Sequence, residues 1–136
     1  MRQVAVVTGV ARGIGAATHE LFEESGWDVV GVDVLASDRT SIRVDVGDAD
    51  ALAAALSALE HVSALVNNAA VQLFKPLAET TVEEWDSVQA RNLRSAFVAM
   101  QALRPRLAES RGAVVNVASV HALATSRSIA AYAASK

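Results

Sequence analysis

Tyr132 and Lys136 stand at i and i+4 in the 136-residue chain, a spacing that puts both side chains on one face of a helix. A free phenol, with a pKa of about 10, is a poor base at neutral pH. An ammonium group that close favours phenolate, and the phenol could then take a hydroxyl proton or return it. The same two residues are also read as an ordinary exposed couple on a helix surface. A second group lies near the N-terminus, Thr8-Gly9-Val10-Ala11-Arg12-Gly13-Ile14-Gly15. A diphosphate needs free backbone N–H donors at a helix start, and glycines let the main chain approach it without a Cβ in the way. The spacing is G-x-x-x-G-x-G rather than G-x-G-x-x-G, and a tight βα turn that needs glycine for positive φ would look alike. Its place between an apolar run and a helical segment favours the phosphate site. Asp33 follows Gly15 at close to the roughly 20-residue offset of an acid that accepts hydrogen bonds from adenosine ribose hydroxyls. It could also simply end a strand at a solvated loop. A carboxylate there repels a 2′-phosphate, which favours NAD over NADP, although Arg12 offers a cation in the other direction.

The elements that must position these groups follow from the apolar pattern. Val4 to Val7 and Val29 to Asp33 read as short buried strands of the kind found in parallel sheets, and Ile42 to Asp45, Val62 to Val66 and Ala113 to Ala118 as three further strands. Helices are predicted over Ala16 to Ser25, closed by Gly26, and over Asp48 to Leu59 with Asp48 as N-cap. A long helix is expected from Thr81, whose spacing to Glu84 is that of a capping box, to about Glu109, with Pro105 kinking it or marking its last turns. A final helix begins at Ile129. The alternation implies an α/β fold, a doubly wound, mostly parallel sheet with helices on both faces.

Composition narrows the function classes. The chain is 52% apolar, 4% aromatic and 20% charged, without cysteine, and its formal net charge is −3. Disorder is excluded at that apolar content. Without cysteine there is no disulfide, thiol nucleophile or thiolate metal site, and a reducing compartment is expected. The acidic balance gives no surplus for neutralising phosphate backbones, so no nucleic-acid partner is expected. No apolar run reaches the roughly 18 residues of a membrane helix, and Met1-Arg2-Gln3 leads straight into a strand rather than a signal peptide. A cytoplasmic protein with no membrane partner is expected. His19, His61 and His121 are scattered without metal-ligand spacing, so no metal site is expected.

Together with Asn67-Asn68-Ala69-Ala70 after the fourth strand and Tyr132-Ala133-Ala134-Ser135-Lys136 at the end, these segments resemble the short-chain dehydrogenase/reductase family over the whole chain. Thr8 to Gly15 is similar to its T-G-x-x-x-G-x-G turn, and Tyr132 with Lys136 to its Y-x-x-x-K pair. Ser119 stands upstream of Tyr132 at a spacing like that of the family's catalytic Ser. Asn92 resembles the Asn of its catalytic tetrad, and Asp45-Val46 the pair that contacts adenine. Ala70 departs from the family's N-N-A-G pattern by carrying a Cβ beside the cofactor. The resemblance implies a three-layer Rossmann-type fold with about five of the usual seven strands present. It implies a nicotinamide cofactor held by Gly9, Arg12, Gly13, Ile14, Gly15, Asp33, Asp45, Val46, Asn68, Ala69, Ala70, Tyr132 and Lys136. Hydride transfer between that cofactor and a secondary alcohol or ketone would then use Tyr132 as acid/base and Lys136 as its activator and ribose anchor. Ser119 would donate to the substrate oxygen, and Asn92 would hold a relay water.

Family members run further, through two more strands and a substrate-covering loop, so residues 1–136 are expected to be the N-terminal part of a longer single-domain enzyme. The alternative is a nucleotide-binding module without turnover. A homo-oligomer, dimer or tetramer, is implied. The apolar excess is expected to leave part of the sheet and of the long helix uncovered and prone to association. His121, just past Ser119, reads as a loop residue that could also line a substrate pocket.

Overall fold

A computed structural model gives the fold of residues 2–136. Its strands are β1 (Val4–Thr8), β2 (Asp28–Asp33), β3 (Ile42–Arg43), β4 (Ala64–Asn67) and β5 (Ala113–Asn116). They form one five-stranded parallel sheet in the order β3-β2-β1-β4-β5. The helices are α1 (Gly13–Glu24), α2 (Ala49–Ser57), α3 (Val82–Gln89), α4 (Ser95–Ser110) and α5 (Ala130–Ser135). The chain runs outward from β1 to β3 and then crosses back to β4. The carboxyl ends of β1 and β4 therefore flank a topological switch point, where open α/β sheets place their ligands. This is the doubly wound Rossmann-type sheet expected from the sequence.

Strand alternation sorts the core into two faces. Val6 and Leu65 join Leu52 and Leu56 of α2 and Leu103 and Leu107 of α4 in the larger cluster. Each fully buried Leu there stabilises the fold by about 2 kcal/mol. Val7 and Val66 join Val10, with Phe22 of α1, in a smaller cluster. All four residues of β5 are exposed, and on the long helical segment Leu93 and Phe97 are more than half exposed. Part of the sheet and of the long helix is thus exposed within the described residues. None of the helices among the described residues is long and apolar enough to cross a membrane.

Two expectations are corrected. The long helix predicted from Thr81 to about Glu109 is interrupted by a π turn at Ala90–Arg94, whereas Pro105 lies in the last turns of α4, as expected. Side-chain bonds widen that turn: Ser95 Oγ donates to the Arg91 carbonyl, Arg94 reaches the Gly47 carbonyl, and Asn92 reaches Val71. The strand predicted over Ile42 to Asp45 stops at Arg43 because Asp45 Oδ1 accepts the Gly47 N–H at 2.8 Å. That bond closes an Asx turn and bends the chain out of the sheet.

Candidate active site

The turn after β1 is built by close backbone approach. Gly9 has φ +75°, and a Cβ on Gly15 would lie 1.8 Å from the Gly9 carbonyl oxygen, so a side chain at position 15 is incompatible with this geometry. Asn68, just past β4, locks the turn: its Nδ2 donates to the carbonyls of Thr8 (3.0 Å) and Gly9 (3.2 Å). Thr8 Oγ1 in return accepts the N–H groups of Asn68 (3.0 Å) and Ala69 (2.9 Å). Helix starts differ in a way that matters. Asp48 caps α2 through the Ala51 N–H, and Thr81 and Glu84 form the expected capping box on α3. At α1 the N-cap residue Arg12 makes no side-chain cap and the first turn carries no acid. The N–H groups there stay available, and the dipole favours an anion. A diphosphate fits this glycine cradle.

Beside it lies a cavity of about 420 Å³ lined by Gly9, Arg12, Asp33, Asp45, Val46, Asn68, Ala69 and Ala70, and also by Val34, Leu35, Val44, Val71 and Arg91. Eight of the cofactor residues named from sequence thus share one cavity. Gly13, Ile14 and Gly15 lie outside its lining on the first turn of α1, with the Ile14 side chain exposed. Asp33 is fixed by accepting the Ala11 N–H at Oδ2 and the Leu35 N–H at Oδ1, both at 2.9 Å. Asp45 is held by Gly47 and by Arg91, whose Nη2 lies 2.7 Å from Oδ2. Burial raises the Asp45 carboxyl pKa, but the Gly47 N–H and the Arg91 guanidinium outweigh it and hold the group below its usual range. Arg91 and Val71 had no local signal in the sequence. Arg91 is recruited by an acid 46 positions away, and Val71 by Asn92.

Asn92, on the π turn, is buried. Its Oδ1 accepts the Val71 N–H, and its Nδ2 donates to the Val71 carbonyl and to Ser135 Oγ at 2.8–2.9 Å. The amide therefore ties the loop after β4 to α5, the helix that carries Tyr132. Ser119 starts a short 3-10 turn, Val120–Ala122, and its Oγ accepts the His121 N–H at 3.2 Å. The His121 and Tyr132 rings meet edge to face, with centroids 6.0 Å apart. Lys136 Nζ donates to the Val117 carbonyl at 2.7 Å and stands 5.8 Å from the Tyr132 ring centre. Burial lowers the Lys136 pKa from its ordinary value. Tyr132 lies on α5 and Lys136 directly follows its last residue, so the two side chains stand near one another, with the ammonium on the segment that leads from β5 to Ser119. Among the described residues no three His, Asp or Glu side chains form a metal-holding group.

The chain is 36% identical over 153 residues to D-threitol dehydrogenase of Mycolicibacterium smegmatis, with 98% of this chain and 59% of that protein covered. It is 37% identical over 144 residues to carbonyl reductase (NADPH) 2 of Sus scrofa, covering 97% of this chain and again 59% of the relative. The chain thus spans about three fifths of the length of these curated relatives. The ligand-free aldohexose dehydrogenase of Thermoplasma acidophilum superposes with a TM-score of 0.93 at 27% identity, over 98% of this chain and 56% of that one. A family model described as short chain dehydrogenase matches residues 3–136. With the match running from the first strand through the glycine turn to Lys136, the chain belongs to the short chain dehydrogenase family.

Proposed function

We propose that this chain carries the cofactor-binding and proton-transfer parts of an NAD-preferring oxidoreductase that interconverts secondary alcohols and ketones. The observation that supports it most is the position of Lys136, anchored on the Val117 carbonyl and within 5.8 Å of the Tyr132 ring centre. A nicotinamide cofactor, when bound, supplies the hydride acceptor or donor. The N-terminus of α1 and the glycine turn would hold its diphosphate. Asp33 would accept the ribose hydroxyls, Asp45 and Val46 would wall the adenine, and Asn68, Ala69 and Ala70 would form the floor beside Gly9. Asp33 favours NAD, because a carboxylate in that wall repels a 2′-phosphate at close range.

Tyr132 takes the hydroxyl proton of an alcohol or returns one to the ketone oxygen. Lys136 favours the phenolate by charge, and it has two N–H groups left for a ribose after donating to Val117. Ser119 Oγ accepts from His121, which leaves its own proton free to donate to the substrate oxygen beside Tyr132. Both Asn92 N–H groups are committed to protein partners. Its part in a proton relay would therefore run through the free lone pair of Oδ1, while its hydrogen bonds position α5. The exposed Leu93 and Phe97 offer an association face for a homo-oligomer. A cysteine-free chain suits a reducing, cytoplasmic setting.

That the cavity is lined by the cofactor residues and not by Ser119, Tyr132 or Lys136 favours a second reading, a nucleotide-binding module without turnover. Calorimetric titration with NAD and NADP, followed by an alcohol panel read as NADH absorbance, separates the two. The proposal expects NAD to bind more tightly and at least one secondary alcohol to be oxidised. Binding without turnover selects the module, and tighter NADP binding refutes the cofactor preference.

A further inference from the structure

We infer that His121 is a specificity-determining residue for a hydroxyl group adjacent to the reacting carbon, so that the substrate class is a vicinal diol or an α-hydroxy ketone. This rests on the proposed alcohol/ketone chemistry at Tyr132. Three contacts place His121. Its backbone N–H donates to Ser119 Oγ at 3.2 Å, its ring meets Tyr132 edge to face with centroids 6.0 Å apart, and its Nδ1 lies 3.3 Å from Thr125 Oγ1. The residue thus sits between the two groups that would hold the substrate oxygen, with its main chain against Ser119 and its ring against Tyr132. The loop bearing it is tied to the segment after β4 by the Lys75 N–H, which donates to the Ser128 carbonyl at 2.7 Å.

Among the described residues Nε2 of His121 has no hydrogen-bond partner and is open to a ligand, while the residue as a whole is half-buried. If Thr125 donates to Nδ1, then Nε2–H is a donor; if Nδ1–H donates to Thr125, then Nε2 is an acceptor. A hydroxyl group both donates and accepts, and it satisfies Nε2 in either tautomer. A hydrocarbon packed at that point would take the imidazole nitrogen out of water and leave it unpaired, which costs binding. The neighbouring Val120 and Leu123 side chains are exposed and suit the carbon skeleton.

The probes are 2,3-butanediol and 2-butanol, which differ by that one hydroxyl, each titrated into the NAD-saturated chain and followed by ligand-observed NMR. The wild type is expected to bind the diol about tenfold more tightly than the mono-alcohol. His121→Phe keeps an aromatic edge against Tyr132 and should erase that difference, while His121→Gln, which restores a donor and acceptor, should recover part of it. Equal affinity of the wild type for the two probes, or a diol preference that survives His121→Phe, overturns the inference. NADH formation in the same samples reports separately. A diol preference in binding without NADH supports the inference while removing the oxidoreductase reading, and NADH formation without a diol preference does the reverse.

Discussion

The two ends of the site are held in different ways. The cofactor cradle sits at the centre of the sheet, where Thr8 is buried and main-chain contacts fix the glycine turn against Asn68. The proposed catalytic ledge lies beside β5, at the edge of the described sheet. There Tyr132 and Lys136 depend on a few long-range side-chain bonds: Asn92 to Ser135, Gln89 to the Ala131 carbonyl, and Lys136 to the Val117 carbonyl. Shape defines the cradle, whereas ties define the ledge. Cofactor affinity should therefore respond to added volume, and chemistry to removed hydrogen bonds.

The largest expected effect is at the cradle. Gly15→Val forces carbon atoms into the Gly9 carbonyl, which a Cβ alone would meet at 1.8 Å, and should weaken NAD binding by about 100-fold or more, since the diphosphate needs that backbone approach. Gly26→Ala, away from the cradle, is the control: its Cβ would meet nothing within 4 Å, and only its φ of +84° is strained. It should cost about 1–2 kcal/mol of stability. Paired calorimetry and thermal unfolding check both, and equal NAD losses in the two variants would break the distinction drawn for the cradle.

On the ledge, Asn92→Ala removes one buried and two part-buried hydrogen bonds and leaves the Val71 N–H and carbonyl without their protein partner. It should cost about 2 kcal/mol by urea unfolding and slow turnover more than it weakens NAD binding. A variant with unchanged stability would show that the ledge is not held by this amide.

The smallest effect concerns pH. The Asp45 carboxyl is held below its usual range in the folded chain, so its contribution to stability is present above the unfolded carboxylate pKa and is lost as pH falls through the lower folded value. The gap in urea midpoint between wild type and Asp45→Asn should be widest near neutrality and close in acid. A gap independent of pH would mean that charge pairing with Arg91 is not its source.

Most of the cradle could be read from sequence because its signals are local. Apolar runs end at glycines, the Asp48 cap and the Thr81–Glu84 capping box lie within three residues of their partners, and Gly9, Gly13 and Gly15 mark the turn themselves. The π turn could not be read, since helical propensity continues unbroken through Ala90–Arg94. What widens the turn is a set of partners far along the chain, Gly47 for Arg94 and Val71 for Asn92. The same distance hid Arg91 and Val71 as cavity residues. Nor could the tie made by Asn92 be read, because its partner Ser135 lies 43 positions away and comes within 2.9 Å only in the fold.

The most direct test of the central claim is Tyr132→Phe, assayed side by side for NAD affinity and for alcohol oxidation in the enzyme containing this chain. Loss of the phenolic oxygen should lower turnover by at least about 100-fold, with NAD affinity within about twofold of wild type, because the cradle is built without Tyr132. Substantial residual turnover, or a parallel collapse of NAD binding, would contradict the assignment of Tyr132 as the proton-transfer group.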